Sequence, residues 1–466
     1  LHTAIWWQFL AAVVFWVIVW EGASIAVGNP IVLCGPFDVA LALVRNVLAL
    51  SFWSSIAFSL LRIALGFAVA FVAGSFLGVL AARFDTVRIA LGPLVSVIKS
   101  APIVCIIVLL LVWVGAADVP VAAVFLAVFP SIYAAAMEGV LSIDGQMSEM
   151  LHAFRAPFLR RARVLYVPTL LPFLKAATTV GIGMSWKAGI AAELIGIPRG
   201  SIGAQIYTAK ITLETADLLA WTVAVIVLSL ICERVVLFLL NVSVAKAGRS
   251  SAVGLSRRMR EAGPIEGMML GRASKSYGEK RVLDSVSLAV SPGERVCLMG
   301  PSGVGKTTLL RVICGLEGMD SGSLTYSEKR CGYQILGTSL HLHIGAVFQD
   351  VRLFEHMSAF DNVALVPSSR GVEDLNVLLE AMLPGEDFSK QVDGYSGGMK
   401  RRVELCRALA SDCGCVVLDE PFYGLDSATK ELVIKVLDAW LDGRTLVMCS
   451  HDRSDAESLG ARIVYV

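Results

Sequence analysis

Charge is scarce in this chain. Only 17% of its 466 residues are Asp, Glu, Lys or Arg, against about a quarter in ordinary globular proteins. The net charge is +1, which excludes nucleic acid as a bulk electrostatic partner. Histidine is rare as well, with six in all. The ten cysteines are scattered, and Cys413 and Cys415 form a lone Cys-x-Cys with no second pair or nearby histidine. That spacing excludes an ordinary zinc site. Reduced, mostly buried thiols facing a cytosol are the reading that remains. The first apolar run, from Ala4 to about Trp20, lacks a basic start and a small-residue cleavage site. It therefore reads as a membrane helix rather than a removable leader.

Apolar residues are abundant, at 56%, but unevenly spread. Long apolar runs dominate residues 1–245, a polar tether rich in Lys, Arg, Ser and Gly covers 246–266, and residues 267–466 read like a soluble protein. The expected fold is an all-α polytopic membrane domain followed by an α/β domain. A bilayer-spanning helix needs about 20 apolar residues. Six segments qualify, near 4–27, 54–82, 92–115, 118–141, 169–196 and 217–241. In the second, Gly66, Ala70, Gly74 and Gly78 recur at four-residue spacing, which predicts a face for close helix packing. Basic residues collect after the second span (Arg83, Arg88), between the fourth and fifth (Arg155, Arg160, Arg161, Arg163) and after the sixth (Lys246, Arg249, Arg257, Arg258, Arg260). With six spans all three clusters fall on one side, the cytoplasmic one, together with the C-terminal half.

The loop from Asp144 to Arg163 is polar and basic, with Met147, Leu151, Phe154 and Phe158 at helical spacing. It predicts a short cytoplasmic helix at the membrane surface on which a motor could push; the alternative is a snorkelling basic connector. Lys99, Lys187 and Glu193 are ionisable residues within spans, a costly placement. Two readings stand for them: a solute pathway that favours anions, or structural roles at span ends and before Gly196-Ile197-Pro198.

The C-terminal half holds the chemistry. The run Gly300-Pro301-Ser302-Gly303-Val304-Gly305-Lys306-Thr307-Thr308 follows a predicted strand, Arg295–Met299, and precedes a predicted helix, Leu309–Cys314. Backbone N–H groups of Gly300, Ser302, Gly303, Gly305 and Thr308 would close around phosphate oxygens at a helix N-terminus. Lys306 would reach the β/γ-phosphates, and Thr307 would hold Mg²⁺. A second strand, Cys415–Leu418, ends in Asp419 and Glu420. Asp419 suits Mg²⁺ through water, and Glu420 suits polarising the attacking water. ATP and Mg²⁺ are the implied substrate and cofactor.

P-loops serve many nucleotide hydrolases. The run Tyr395-Ser396-Gly397-Gly398-Met399 narrows the class, because it resembles the L-S-G-G-Q signature of ABC transporters, with Tyr for Leu and Met for Gln. The resemblance implies that Ser396, Gly397 and Gly398 complete the ATP site of an opposing copy. It also implies a Q-loop role for Gln349, sensing Mg²⁺ and the membrane domain. Asp426 of Gly424-Leu425-Asp426 fits the D-loop, and His451 of Ser450-His451-Asp452 fits the switch histidine at the γ-phosphate. Tyr277 suits stacking on adenine, or is a surface tyrosine. Gln349 and Ser396 are 47 positions apart (396 − 349), fewer than is usual for the family, so a trimmed helical subdomain is expected.

The membrane half is similar to the permeases of binding-protein-dependent importers, specifically the nitrate, sulfonate, taurine and thiamine-precursor group. Their cytoplasmic loop reads E-A-A, three residues, G, nine residues, I-x-L-P. Here Glu149, Leu165 and Pro168 fit, while Arg155 stands at the glycine place. Ser59-Leu60-Leu61-Arg62-Ile63-Ala64-Leu65-Gly66-Phe67 and Ala191-Ala192-Glu193-Leu194-Ile195-Gly196 also resemble that group. The resemblance implies a homodimer of fused half-transporters in the cell membrane. It would import a small solute, with a lean towards an anion, delivered by an extracytoplasmic binding protein. An exporter half-transporter is the alternative, because fusion in one chain is the usual exporter layout. The chain begins at Leu1, which leaves an initiating segment open, and it ends soon after His451, so no regulatory domain is expected beyond the motor.

Overall fold

The computed structural model describes residues 2–249, 265–328 and 344–466, apart from Arg155 and Pro367. Most of the predicted linker, the cluster Arg257, Arg258 and Arg260, and the glycine-place Arg155 lie outside the described residues. Of the linker's remainder, 246–249 continues a helix and 265–266 opens a strand. The chain forms two units, Leu1–Ile143 with Val167–Lys246 and Asp144–Tyr166 with Ala247–Val466.

The first unit is helical: α1 (His2–Val27), α2 (Pro36–Leu48), α3 (Leu50–Arg83), α4 (Asp85–Ser100) and α5 (Ile103–Leu141). After α6 (Gly145–Ala153) and α7 (Phe158–Arg161), which belong to the second unit, it resumes with α8 (Val167–Gly196), α9 (Ile202–Ile211) and α10 (Thr215–Arg249). Among the described residues, four stretches are long and apolar enough to cross a membrane: Leu50–Arg83, Ile103–Leu141, Phe158–Gly196 and Thr215–Leu240. The first expected span lies in α1, where Ala11–Val27 is a shorter apolar helix. The third, 92–115, is not one helix. It is interrupted at Ala101–Pro102, where the ring of Pro102 disfavours helical geometry in the residue before it. The kink at Gly115, whose φ of 77° only glycine adopts at little cost, falls where that span was expected to end.

The small-residue face of α3 packs against α5 as its spacing predicts. A Cβ at Gly66 would meet the Val121 carbonyl at 2.7 Å, and one at Gly74 would meet the Ile132 Cβ at 3.0 Å. At Gly78 a Cβ would meet the Tyr133 carbonyl at 2.5 Å and the Ala136 Cβ at 2.8 Å. The two backbones approach this closely because nothing stands between them. Gly78→Ala is therefore expected to destabilise the helical unit by about 1–3 kcal/mol through overpacking. Gly92→Ala, with nothing within 4 Å of its Cβ, serves as the control. Melting in detergent checks this, and identical transitions for the two variants would refute the close approach.

The second unit adds two sheets. An antiparallel sheet of order β2-β1-β4 comprises β1 (Ile265–Tyr277), β2 (Lys280–Val290) and β4 (Ser321–Glu328). A parallel sheet runs β5-β6-β7-β3-β8, from β3 (Arg295–Met299), β5 (Ile344–Val347), β6 (Cys415–Asp419), β7 (Thr445–Cys449) and β8 (Arg462–Tyr465). Strands β6 and β7 are buried throughout, as expected of parallel strands covered on both faces. Helix α11 (Lys306–Ile313) follows β3. Helices α12 (Ala359–Val363) and α13 (Val372–Met382) fill the short interval before α14 (Gly397–Ala410). Helices α15 (Ser427–Leu441) and α16 (Arg453–Ser458) complete the unit.

Candidate functional site

The parallel sheet gathers the predicted residues by topology. Gln349 follows β5, Asp419 ends β6 with Glu420 just after it, His451 follows β7, and the P-loop follows β3. These four strands are neighbours in the order β5-β6-β7-β3. Their carboxyl ends therefore form one edge, where open α/β sheets bind ligands.

The P-loop backbone needs its glycines. Gly303 has φ 83° and Gly305 φ 106°, and a Cβ at Gly305 would meet the Val282 carbonyl at 2.7 Å. The Lys306 ammonium is buried and donates to the Gly300 carbonyl at 2.7 Å and the Pro301 carbonyl at 3.0 Å. It thus lies within the curl of the loop. Ser302, Gly303 and Thr307 are exposed, and Thr308 is half-buried.

Asp419 is buried and hydrogen-bonded to the Thr307 side chain. Burial pushes its carboxyl up from the ordinary range, against the Thr307 hydrogen bond and with the neighbouring Glu420 charge. Thr307, Asp419 and Gln349 line one cavity of about 300 Å³. Hydroxyl, carboxylate and amide oxygens make a donor set that fits a hard cation such as Mg²⁺. Glu420 sits in the left-handed region at φ 48°. Its Oε1 lies 2.7 Å from the half-exposed His451 Nε2. A carboxylate and an imidazole so joined can share a proton taken from water.

The same cavity extends to Gln146 and Glu149 of α6. Asp144 caps that helix by accepting from the Gln146 N–H at 2.8 Å. Glu149 receives both forks of Arg311, at 2.8 and 3.0 Å, and Arg352 at 3.3 Å. The Arg311 guanidinium holds the Glu149 carboxyl below the usual carboxylate range, outweighing partial burial. Met150, Leu151 and Phe154 are buried, whereas Phe158 is 67% exposed. The predicted apolar stripe therefore shifts, with Met150 taking the place given to Phe158. Arg160 is buried and donates to the Leu365 carbonyl at 2.5 Å, so it does not snorkel.

Other predicted residues stand apart. Ser396 caps α14 by accepting from the Met399 N–H at 3.3 Å. It and Gly397 are exposed, Gly398 is half-buried, and none of the three lines the cavity. Asp426 caps α15 through the Thr429 N–H and hydroxyl, which hold its carboxyl low. Tyr277 ends β1, about half exposed, with the Lys275 ammonium 5.4 Å from its ring centre. In the helical unit Lys99 and Lys187 are exposed. Glu193 is fully buried and accepts from the Ser59 hydroxyl at 2.8 Å and the Gly203 N–H at 3.0 Å. It thus takes up an N–H in the first turn of α9, whose N-cap is Ser201, beyond the break at Gly196-Ile197-Pro198.

Four residues escaped the sequence reading: Arg311, Arg352, Arg401 and Glu404. The last two carry a visible signal. They sit at i and i+3 on a helix whose neighbours Val403, Leu405 and Cys406 are apolar, so a buried ion pair was legible there. The two arginines carry none, because their partner Glu149 is more than 160 positions away.

The fold and site define a P-loop nucleotide hydrolase joined to a polytopic helical domain. A family model described as ABC transporter matches residues 283–423. A second, described as binding-protein-dependent transport system inner membrane component, matches residues 74–247. Among curated relatives, the aliphatic sulfonates import ATP-binding protein SsuB of Ralstonia nicotianae is 38% identical over 202 residues, covering 43% of this chain and 69% of that protein. The sulfate/thiosulfate import ATP-binding protein CysA of Vibrio cholerae is 36% identical over 210 residues, covering 42% of this chain and 54% of that protein. The CysA of Bacillus cereus is 37% identical, covering 41% and 56%. The chain thus spans only about half the length of these two CysA relatives. The chain belongs to the ABC transporter family, with a permease of the binding-protein-dependent class fused to its ATPase. It is a multipass membrane protein whose ATPase faces the cytoplasm.

Proposed function

We propose that the chain is an importer half-transporter, working as a homodimer and driven by ATP hydrolysis. A separate extracytoplasmic binding protein delivers its solute. The observation that carries this reading is the membership of the loop Asp144–Tyr166 in the ATPase unit. That loop joins the long apolar helices α5 and α8 in sequence, so a movement of the ATPase is a movement of the chain between two spans. The binding-protein-dependent family match over 74–247 supports import over export.

In the cycle, the P-loop N–H groups and Lys306 hold the β- and γ-phosphates, and Tyr277 stacks on adenine. Mg²⁺, held by Thr307, by Gln349 and through water by Asp419, would neutralise the phosphate charge. Glu420 takes the proton of the attacking water, and His451 steadies Glu420 and the γ-phosphate. Ser396, Gly397 and Gly398 of each copy close the site of the other, with Asp426 at the seam. The exposure of the Ser396 cap fits a surface that a second copy covers. A small anionic solute is supported by the sulfonate and sulfate relatives and by Lys187 within a span.

The test is ATPase activity of the purified protein in lipid nanodiscs, with candidate binding proteins added singly, loaded and empty. Stimulation by one loaded binding protein is the expected result. Activity indifferent to every binding protein but raised by amphipathic compounds would replace the importer with an exporter.

A further inference from the structure

Helix α14 carries three charged side chains in its buried face, Arg401, Glu404 and Arg407. Glu404 and Arg407 are fully buried, and Arg401 is 3% exposed. Three charges removed from water persist only where geometry supplies partners. Arg401 finds them on the backbone of the catalytic edge. One arm of its fork donates to the Phe348 carbonyl, next to Gln349. The other donates to the Asp419 carbonyl at 2.5 Å and the Glu420 carbonyl at 2.9 Å. Glu404 aims the fork by accepting from Arg401 at 3.1 Å. Its other oxygen accepts from the Arg352 N–H at 2.7 Å, and Arg407 donates to the Arg352 carbonyl at 2.7 Å.

Glu420 needs holding. Its left-handed backbone is disfavoured for any residue with a Cβ. The peptide is fixed on one side by the Glu420 N–H donating to the Cys449 carbonyl at 3.2 Å. On the other side its carbonyl is held by Arg401. Between these two anchors the side chain points to His451. The guanidinium is planar with five donors in a fixed fork, so it can bridge the ends of β5 and β6 at once.

We propose that Arg401, aimed by Glu404, is a positioning residue for Glu420. It holds the strained peptide that directs the carboxylate at His451 and ties that peptide to the segment carrying Gln349. This rests on the reading of Glu420 as the residue that activates water. The same helix grips Arg352, whose side chain reaches Glu149, so α6 and the catalytic edge share one hydrogen-bonded frame.

The test uses the full chain in nanodiscs, with kcat and KM for ATP measured alongside melting. Arg401→Gln is expected to lower kcat about tenfold or more with KM changed less than about twofold, the pattern of a lost transition-state geometry. Arg401→Lys, which keeps the charge but reaches fewer carbonyls, is expected to recover part of the rate. The double variant Arg401→Gln with Glu404→Ala leaves no buried Glu404 charge, and so keeps the test open should the single variant fold poorly. Its kcat is expected to stay low. Wild-type kcat in a folded Arg401→Gln, or a double variant restored to wild-type rate, would overturn the proposal. Glu420→Gln is run in parallel. If it turns over ATP at close to the wild-type rate, the reading of Glu420 itself fails. If it is inactive while Arg401→Gln is normal, only the positioning role fails.

Discussion

Glu420→Gln is expected to reduce ATP turnover by about a hundredfold or more, the scale of a lost general base, while ATP binding survives. Glutamine keeps the shape and an acceptor oxygen but cannot take a proton. The contact of Glu420 Oε1 with His451 Nε2, now 2.7 Å, would persist as a neutral hydrogen bond and keep the site assembled. The groups proposed to bind phosphate are elsewhere, on the P-loop and Lys306, so affinity for ATP is expected to change little. Hydrolysis and nucleotide binding measured on the same preparation separate the two. Loss of both together would show that Glu420 supports the fold of the site rather than the chemistry.

The second large effect is expected at Glu149. Its contact with Arg311 and Arg352 is worth only about 1 kcal/mol in stability, because the carboxylate is over a third exposed and water screens it. The effect on coupling is expected to be far larger. Glu149 is the charged link between α6 and the ATPase core, and the apolar contacts of Met150, Leu151 and Phe154 do not specify register. Glu149→Arg, which places three cations together, is expected to abolish stimulation by a binding protein while basal hydrolysis continues. Pairing it with Arg311→Glu is expected to restore part of the stimulation. Unchanged stimulation in the single variant would remove Glu149 from the coupling path. The pH dependence has a definite sign. The carboxyl is held below its unfolded value, so the contact is present above the ordinary glutamate range and is lost as pH falls through the depressed value. Coupling through Glu149 should therefore persist in mild acid.

Several local signals in the chain translated directly into structure. The P-loop was legible because a strand, a glycine-rich turn and a helix N-terminus are contiguous, and each piece is dictated by backbone sterics. The acid pair Asp419-Glu420 was legible as the end of an apolar strand. The packing face of α3 was legible because glycine at four-residue spacing has one physical use between helices in lipid. The third span was misjudged as continuous, since hydropathy does not register the break at Ala101–Pro102, whereas the kink at Gly115 falls where that span was expected to end. The apolar stripe of the 144–163 loop was misplaced at one position, since Phe158 of α7 and Met150 of α6 are both apolar and only packing tells them apart.

The sequence by itself determined the class of the protein, its helical and α/β parts, and which residues stand at the carboxyl edge of the parallel sheet. Those properties depend on neighbours along the chain, where stereochemistry and periodicity act over a few residues. The tertiary structure decided which distant groups share a site. It brought Glu149 onto Arg311 and Arg352, Glu193 onto Ser59 and Gly203, and Arg401 onto the carbonyls of Phe348, Asp419 and Glu420. A buried charge must find its partner wherever the fold supplies one, and that partner's place in the chain follows from topology alone.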